Sequence, residues 1–262
     1  MTALVADFLA THPGTGDYVS VVVGPDEPLA QVGRDIEHQV FEQAFGNDAT
    51  VMATEYGPYE RQSLFLVVLD RRRGVPAGVA RVIAGGAREM KTIVDAPAYI
   101  GHGTDEIIAA HGLDQGTVWE FATIAVLPEY RGGRAALAVS SLIYRTFLRA
   151  GRQAGVRHVV AMLDRGGYRN LRLLGVRLIA MAGSEPFAYL GSAETRAVYS
   201  DFPGIEPSIA EQAVRLRRQS GLRALRLSPR ALRKLLTRRF AAGISHQVSS
   251  GRGLDENIVL AA

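Results

Sequence analysis

Hydrophobic and polar positions along the chain predict strands and helices in turn. Amphipathic periodicity, with apolar residues every three or four positions, predicts helices over residues 29–45 and, more regularly, from Ala135 to Ala150. Short apolar runs rich in β-branched residues predict strands at 18–23, 63–69, 78–84, 117–126 and 156–163. The chain should therefore form a mixed fold of the α/β (α+β) class.

The lengths of the connections indicate how these strands pair. The strands 63–69 and 78–84 flank a short arginine-rich turn, which predicts an antiparallel hairpin. The strand 117–126, a glycine pair, the long helix and the strand 156–163 form a βαβ unit. The two strands of such a unit should be parallel.

Other stretches have weaker patterns. Residues 90–116 mix Gly, Pro, His and Asp without sustained periodicity, which predicts a long loop with one short helix at 105–110. After the βαβ unit, the pattern predicts a helix at 168–174 and strands at 176–182 and 197–202.

Composition narrows the class of protein. With 262 residues, 47% of them apolar, the chain can bury a core of ordinary size. No apolar run approaches the ~18 residues of a membrane span, and the first ten residues lack the basic leader of a signal peptide. The absence of cysteine excludes disulfides, thiolate zinc sites and a cysteine nucleophile. We expect a cytoplasmic protein.

Positive charge is concentrated near the C-terminus. Net charge is only +4, yet residues 207–240 contain a single acid, Glu211. We expect a domain at 1–205 and a basic helical extension at 206–262, which is either a solvated helical face or a surface for an acidic partner. An acidic protein fits the second reading, whereas nucleic acid is not the expected partner. The basic residues are Arg215, Arg217, Arg218, Arg223, Arg226, Arg230, Arg233, Lys234, Arg238 and Arg239.

The segment from Trp119 to Gly133, WEFATIAVLPEYRGG, carries the clearest motif. It resembles the acyl-donor signature of the GNAT superfamily, in which a strand ending in V-x-P-x-Y-R-G leads through a glycine-rich turn into a long helix. The resemblance implies a mixed central sheet, flanked by helices and splayed between its fourth and fifth strands. A helix N-terminus offers unpaired N–H groups and partial positive charge to a phosphate, and glycine lets the backbone approach it.

The acyl donor implied by this resemblance is acyl-CoA or another phosphopantetheine thioester, with no metal. Arg134 stands where the family usually has glycine, so the single phosphate of a carrier-bound arm is an alternative to coenzyme A. The splayed strand can pair with the amide groups of the arm. The expected donor-binding residues are Ile124, Ala125, Val126, Arg131, Gly132, Gly133, Arg134, Ala135 and Ala136.

A narrower resemblance links the chain to acyl-homoserine lactone synthases and long-chain N-acyl amino acid synthases. It rests on the segment EYGPYE at 55–60, the strand GVAR at 78–81, and the first long helix. Positions that the lactone synthases use for their own chemistry differ here, as at Glu37 and Gly57, so we expect transfer to another small-molecule amine, such as an amino acid. The substrate-binding residues implied are Phe41, Glu60, Arg81 and Trp119.

Transfer to an amine requires a group that removes a proton. Glu120, on the central strand, is the candidate base. Alternatively, Glu120 is a buried carboxylate that pairs with Arg81 across the sheet, and the two roles are compatible. A backbone N–H at 124–126 should stabilise the oxyanion.

The candidate for the general acid is less well marked. Leu171 stands where the resemblance places a tyrosine, which leaves Tyr168 as the substitute or as a packing residue. Asp164 is expected to cap the following helix. The six histidines lack the spacing of a zinc site, and no Walker or G-x-S-x-G motif is present. The competing hypothesis is a GNAT-fold binding protein without catalysis, whose basic tail engages nucleic acid or a membrane surface.

Overall fold

The computed structural model describes residues 2–220 and 229–260, except for the side chains of 219–220 and 229–233. The helices within this part are α1 (Thr2–Thr11), α2 (Pro28–Phe45), α3 (Ala49–Tyr56), α4 (Lys91–Asp95), α5 (Pro97–Ile100), α6 (Thr104–His111), α7 (Gly133–Gln153), α8 (Arg165–Leu174), α9 (Phe202–Ser220) and α10 (Pro229–Ser250). The strands are β1 (Tyr18–Val23), β2 (Ser63–Asp70), β3 (Val75–Gly85), β4 (Thr117–Val126), β5 (Val156–Asp164), β6 (Ile179–Ala180), β7 (Phe187–Tyr189), β8 (Ser192–Asp201) and β9 (Ile258–Val259).

The described strands form one mixed sheet in the order β6-β8-β5-β4-β3-β2-β1-β9, with β7 paired to β8. Strands β2 and β3 form the predicted antiparallel hairpin. The strands β4 and β5 are parallel, as the βαβ reading requires. Helices α2 and α4 cover one face of the sheet, and α7, with α9 and α10, covers the other.

The sheet opens between β4 and β5. Their parallel pairing runs from Thr117 and Val156 to Glu120 and Val160 and ends there. Beyond that point β4 continues along β3, and β5 continues along β8, so the two strands diverge. The predicted splay between the fourth and fifth strands is therefore confirmed.

A β-bulge in β4 sets which side chains face the opening. Val82 pairs with Phe121 and Arg81 pairs with Thr123, which leaves Ala122 without a partner in β3. A bulge inserts one residue and shifts the side-chain alternation by one position. Glu120 and Thr123, three residues apart, consequently face the same side of the sheet, toward α2 and α4.

The C-terminal segment packs on the rest of the chain. Helix α10 contacts α7, α8 and α9, and β9 adds a short parallel strand to β1 at the sheet edge. Arg145 on α7 is buried and bonds to Asp255 at 2.6 Å and Glu206 at 2.6 Å, which ties both C-terminal elements to the core. Helix α9 runs across the expected boundary between 205 and 206, so the division into a domain and an extension stays a prediction.

Two local predictions are wrong. Residues 90–116 contain the predicted short helix, as α6, but the rest of the expected loop also contains α4 and α5, because helices of four or five residues are too short to show a period. The expected strand at 176–182 is reduced to Ile179–Ala180, followed by a 3-10 turn at Met181–Gly183. The strand expected at 197–202 begins earlier, at Ser192, and ends at Asp201.

Candidate active site

A cavity of about 160 Å³ lies where β4 and β5 part. Its walls are the bulge of β4, the end of β5, the C-terminal half of α2, and the turn between β7 and β8. Glu120, Tyr56, Lys91, Thr123 and Asp164 give it polar groups, and Phe41 and Phe45 close one side. The predicted substrate-binding residue Phe41 thus lies in the same cavity as Glu120.

Glu120 is the central polar residue of this cavity. Its side chain is only 3% exposed, and its Oε2 accepts a hydrogen bond of 2.7 Å from the backbone N–H of Thr92 in α4. Burial raises the pKa of Glu120 to about 7, and the hydrogen bond from Thr92 and the charge of Lys91 oppose this increase. A carboxyl with such a pKa gains and loses a proton near neutral pH, as a general base must.

The alternative pairing of Glu120 with Arg81 is wrong. Arg81 lies opposite Thr123, farther along β4 than Glu120, which lies opposite Ile83. At that position, Glu37 of α2 reaches Arg81 and forms a salt bridge of 2.6 Å with both side chains buried. Glu120 is left to bond with the backbone of α4.

The predicted substrate-binding residues Arg81 and Glu60 belong to one ion-pair network. Arg81 bonds to Glu60 at 2.9 Å, and Arg34 bonds to the same carboxylate at 2.5 Å. Thr123 donates its hydroxyl hydrogen to Glu37, which joins the network to the cavity wall. Buried charges are retained when they are paired in this way, so the network fixes α2 against the sheet beside the cavity.

A second buried cation, Lys91, sits on the cavity wall and was missed by the sequence analysis. Its ammonium group lies 2.5 Å from Glu55, 2.5 Å from Asp95 and 2.7 Å from the hydroxyl of Tyr189. These three partners use its three N–H donors. The only signal in the sequence was the i, i+4 spacing of Lys91 and Asp95, which is common on exposed helices.

The glycine-rich turn has the form that the donor motif predicts. Helix α7 begins at Gly133, whose φ of +58° favours glycine. Among the described residues no side chain caps the preceding Gly132, and a Cβ placed on either glycine would meet no atom within 4 Å. The first N–H groups of α7 therefore face open space, where an anion can bind.

The other expected donor-binding residues lie around this turn. Arg131 is exposed and donates from Nε to the carbonyl of Val126 at 2.7 Å, which fastens the turn to the end of β4. Ile124 and Ala125 precede it on the stretch of β4 that has left β5. Arg134 and Ala135 line a different cavity, on the side of α7 that faces β1, and Ala136 is buried in the first turn.

A second pocket, of about 50 Å³, lies on the opposite face of the sheet, and its exposed lining is entirely apolar. It is enclosed by β5, β8, α7, α8 and both C-terminal helices. Phe121 and Leu163 border both this apolar pocket and the polar cavity, so the two meet at the splay. Leu171, at the position where the resemblance places a tyrosine, lines the apolar pocket.

Of the predicted catalytic and substrate-binding residues, Arg81, Glu60, Trp119 and Tyr168 do not line the polar cavity. Trp119 is buried on the face of α7, with its ring 5.9 Å from that of Phe147. Tyr168 lies on α8 with the guanidinium of Arg196 5.0 Å from its ring centroid, and it is not among the residues that line the cavity. Asp164 caps α8 as predicted, accepting from Gly167 at 2.8 Å.

Among the described residues, no group of three or more His, Asp or Glu side chains could hold a metal ion. None of the helices in this part of the chain combines the length and the apolar character needed to cross a membrane.

Two solved structures have a fold similar to that of this chain. FeeM, an N-acyl amino acid synthase from uncultured soil microbes, matches with a TM-score of 0.54 at 15% identity over 74% of this chain and 96% of its own. The AHL synthase LasI matches with a TM-score of 0.51 at 12% identity over 72% of this chain and 91% of its own. No protein-family model and no curated protein matches the sequence. The predicted resemblance to these synthases is confirmed at the level of the fold.

Proposed function

We propose that the protein is an N-acyltransferase, which moves an acyl group from acyl-CoA or acyl carrier protein to the amine of a small molecule. The observation that carries this proposal is the position of Glu120. This buried carboxyl, with a pKa near 7, lines a cavity that opens between parted strands, and the strand that carries it leads through the glycine-rich turn to the uncapped N-terminus of α7. The fold shared with FeeM and LasI agrees with acyl transfer.

The donor arm fits the gap between β4 and β5. Its phosphate binds the first N–H groups of α7, where Gly132 and Gly133 leave open space. Its amides pair with the edge of β4 that β5 has left, between Phe121 and Val126. The thioester carbonyl then lies beside the backbone N–H groups of residues 124–126, which stabilise the oxyanion.

The acyl chain extends into the apolar pocket behind Phe121 and Leu163. A water-sized group needs ~10–15 Å³ of such space. If each carbon of the acyl chain counts as one group, the 50 Å³ of this pocket holds about four carbon atoms. The pocket as it stands admits a short aliphatic chain, and a fatty-acyl chain requires its walls to move. Because Ile205, Ile209, Ile244 and Val248 form part of these walls, the C-terminal segment contributes to donor selection.

Chemistry takes place on the polar side of the splay. The amine arrives as an ammonium ion, and Glu120 removes one of its protons. The neutral nitrogen then bonds to the thioester carbon and the C–S bond breaks. The second proton that the nitrogen loses goes to the departing thiolate. Glu120 acts as the base because the cavity holds the amine next to the thioester and because the pKa of Glu120 is close to neutral pH.

The basic C-terminal region supplies a surface for an acidic carrier protein. Arg215 and Arg218 are exposed on α9, whereas Arg223 and Arg226, and the side chains of Arg230 and Arg233, lie outside the described residues. Charged surfaces of this kind steer association. Charge reversal at Arg215 and Arg218 should lower kcat/KM with a carrier-bound donor and leave acyl-CoA turnover unchanged, whereas equal loss with both donors would remove this surface from donor recognition.

The experiment that tests the proposed function is a donor-by-amine panel. Purified protein is given acyl-CoA or acyl carrier protein thioesters of increasing chain length with a set of primary amines. Thiol release and the amide product, identified by mass spectrometry, are both recorded. Amine-dependent product supports the proposal. No product with any donor, together with nucleic-acid binding that tightens steeply as salt falls, favours the binding-protein hypothesis.

A further inference from the structure

Among the described residues, none forms a hydrogen bond with the hydroxyl of Tyr56, whereas Glu120, Lys91 and Thr123 in the same cavity are bonded. Tyr56 ends α3, is 6% exposed, and lines the cavity that contains Glu120. Its hydroxyl makes no hydrogen bond to any described residue and is not sealed off from the cavity. Because the hydroxyl is open to the cavity and bonds to no described residue, it is available to a polar atom of a ligand.

The ring of Tyr56 is held in place by two cations. The guanidinium of Arg81 lies 5.0 Å from the ring centroid, and the ammonium group of Lys91 lies 5.7 Å from it. Both distances fall in the range of cation–π contacts. Because both cations are themselves bonded to carboxylates, the hydroxyl keeps a fixed direction.

The charges around the cavity favour a cationic ligand over an anionic one. Lys91 is bonded to Glu55 and Asp95, and Arg81 is bonded to Glu37 and Glu60. Each of these cations therefore faces two carboxylates, and Glu120 adds another. Among the described residues that line the cavity, no cation is left to neutralise a substrate carboxylate. An uncompensated charge in a buried site is strongly disfavoured.

We propose that the acceptor's ammonium group binds between the Tyr56 hydroxyl and the Glu120 carboxylate. The acceptor class is then a primary amine without a carboxylate on the carbon that bears the nitrogen. This assignment rests on the proposed acyl transfer and narrows its acceptor. Tyr56 accepts one N–H through its oxygen, and Glu120 takes the proton that must leave before the nitrogen attacks.

The Tyr56 hydroxyl keeps its own proton during this process. Burial and the charges of Glu37 and Glu120 raise the pKa of Tyr56. Tyr56 and Glu120 therefore have distinct tasks, since one stays neutral at neutral pH while the other titrates.

Matched acceptor pairs test the class of amine with the wild-type protein. Tyramine is compared with tyrosine, and phenethylamine with phenylalanine, with the most active donor held constant. The members of each pair differ only in the carboxylate, so we expect kcat/KM to be more than about tenfold higher for the amine. A preference for the amino acid, or equal use of both, overturns the assigned class.

Two tyrosine variants test the residue. Tyr56→Phe should raise KM for the amine about tenfold, the loss expected for one hydrogen bond to a charged group, and leave KM for the donor unchanged. Tyr59→Phe, which removes a half-buried hydroxyl that does not line the cavity, should change neither value. Thermal denaturation checks that both variants fold.

The outcomes separate this assignment from the function on which it rests. A wild-type protein that turns over no donor with any amine overturns the proposed function and the acceptor site with it. Wild-type turnover with an unchanged amine KM in Tyr56→Phe, or with an equal rise in the donor KM, overturns the acceptor site alone.

Discussion

The two spaces that meet at the splay differ in almost every property. The cavity on the side of α2 and α4 contains Glu120, Lys91 and Asp164 and is bordered by paired charges. The described residues around the pocket on the side of α7 and the C-terminal helices expose only apolar surface to it. Among the described residues, only Phe121 and Leu163 border both spaces. Phe121 follows the last paired part of β4, and Leu163 lies near the end of β5.

The difference suggests a division of tasks across one sheet. A dry, apolar pocket selects an aliphatic chain by how much apolar surface the chain buries and by how well its shape fits. A compartment with bonded charges holds a titrating carboxyl at a pKa set by burial. Parting two strands gives a substrate access to both sides, which an ordinary paired sheet would prevent.

The largest effect should follow removal of the carboxyl on the polar side. Glu120→Gln keeps the shape of the side chain and its hydrogen bond with Thr92 but cannot accept a proton, so kcat should fall by ~10²–10⁴. Steady-state thiol release with saturating donor and amine measures this. Glu129→Gln changes an exposed glutamate between the same strand and helix and should behave as wild type. Unchanged turnover in Glu120→Gln would remove the polar cavity from the chemistry.

The same variant should show that the buried carboxyl of Glu120 lowers the free energy of unfolding. The pKa of Glu120 is about 7 in the folded protein against 4.5 for the free group, so the folded state binds more protons between these values and loses stability as pH rises through them. Glu120→Gln should therefore be more stable than wild type at pH 8 by up to about 3 kcal/mol, and the gain should shrink toward pH 5. Chemical denaturation at both pH values measures it; a gain independent of pH would contradict the burial of a titrating carboxyl.

Changing the lining of the apolar pocket should change the length of the acyl chain that the protein prefers. Ile244→Ala widens the pocket from α10 and should move the preferred acyl chain toward greater length, with each added methylene worth ~0.8 kcal/mol, about fourfold in kcat/KM. As a control, Ile36→Ala removes the same atoms from the buried face of α2, away from the pocket. Each variant should lose ~2–5 kcal/mol of stability. If both shift the chain-length profile equally, the pocket is not the acyl site.

Much of the frame could be predicted because it depends on long, regular patterns. The four-turn stripe from Ala135 to Ala150 and the apolar strands on either side predicted the βαβ unit, which the structure contains. The motif around Gly132 and Gly133 predicted a helix start with open backbone, and both glycines face open space. Asp164 was correctly expected to cap α8, since capping depends on local sequence alone.

The missed features depend on contacts between distant segments. Nothing in the sequence around Arg81 reveals that Glu37, 44 residues away, is its partner instead of Glu120. Lys91 reads as a surface residue until Glu55, Asp95 and Tyr189 are brought around it. In α9 and α10, the many arginines hide the spacing of the apolar residues, so the sequence did not predict that these helices line the apolar pocket.

The most direct test of the central claim is the pH profile of kcat/KM for an acceptor that itself titrates well above neutral pH. If the buried carboxyl of Glu120 is the base, kcat/KM should rise about tenfold per pH unit below an apparent pKa near 7 and level off above it. The inflection should vanish from the residual activity of Glu120→Gln. A wild-type profile without an inflection near 7, or the same inflection in Glu120→Gln, would contradict the assignment of the chemistry to this cavity.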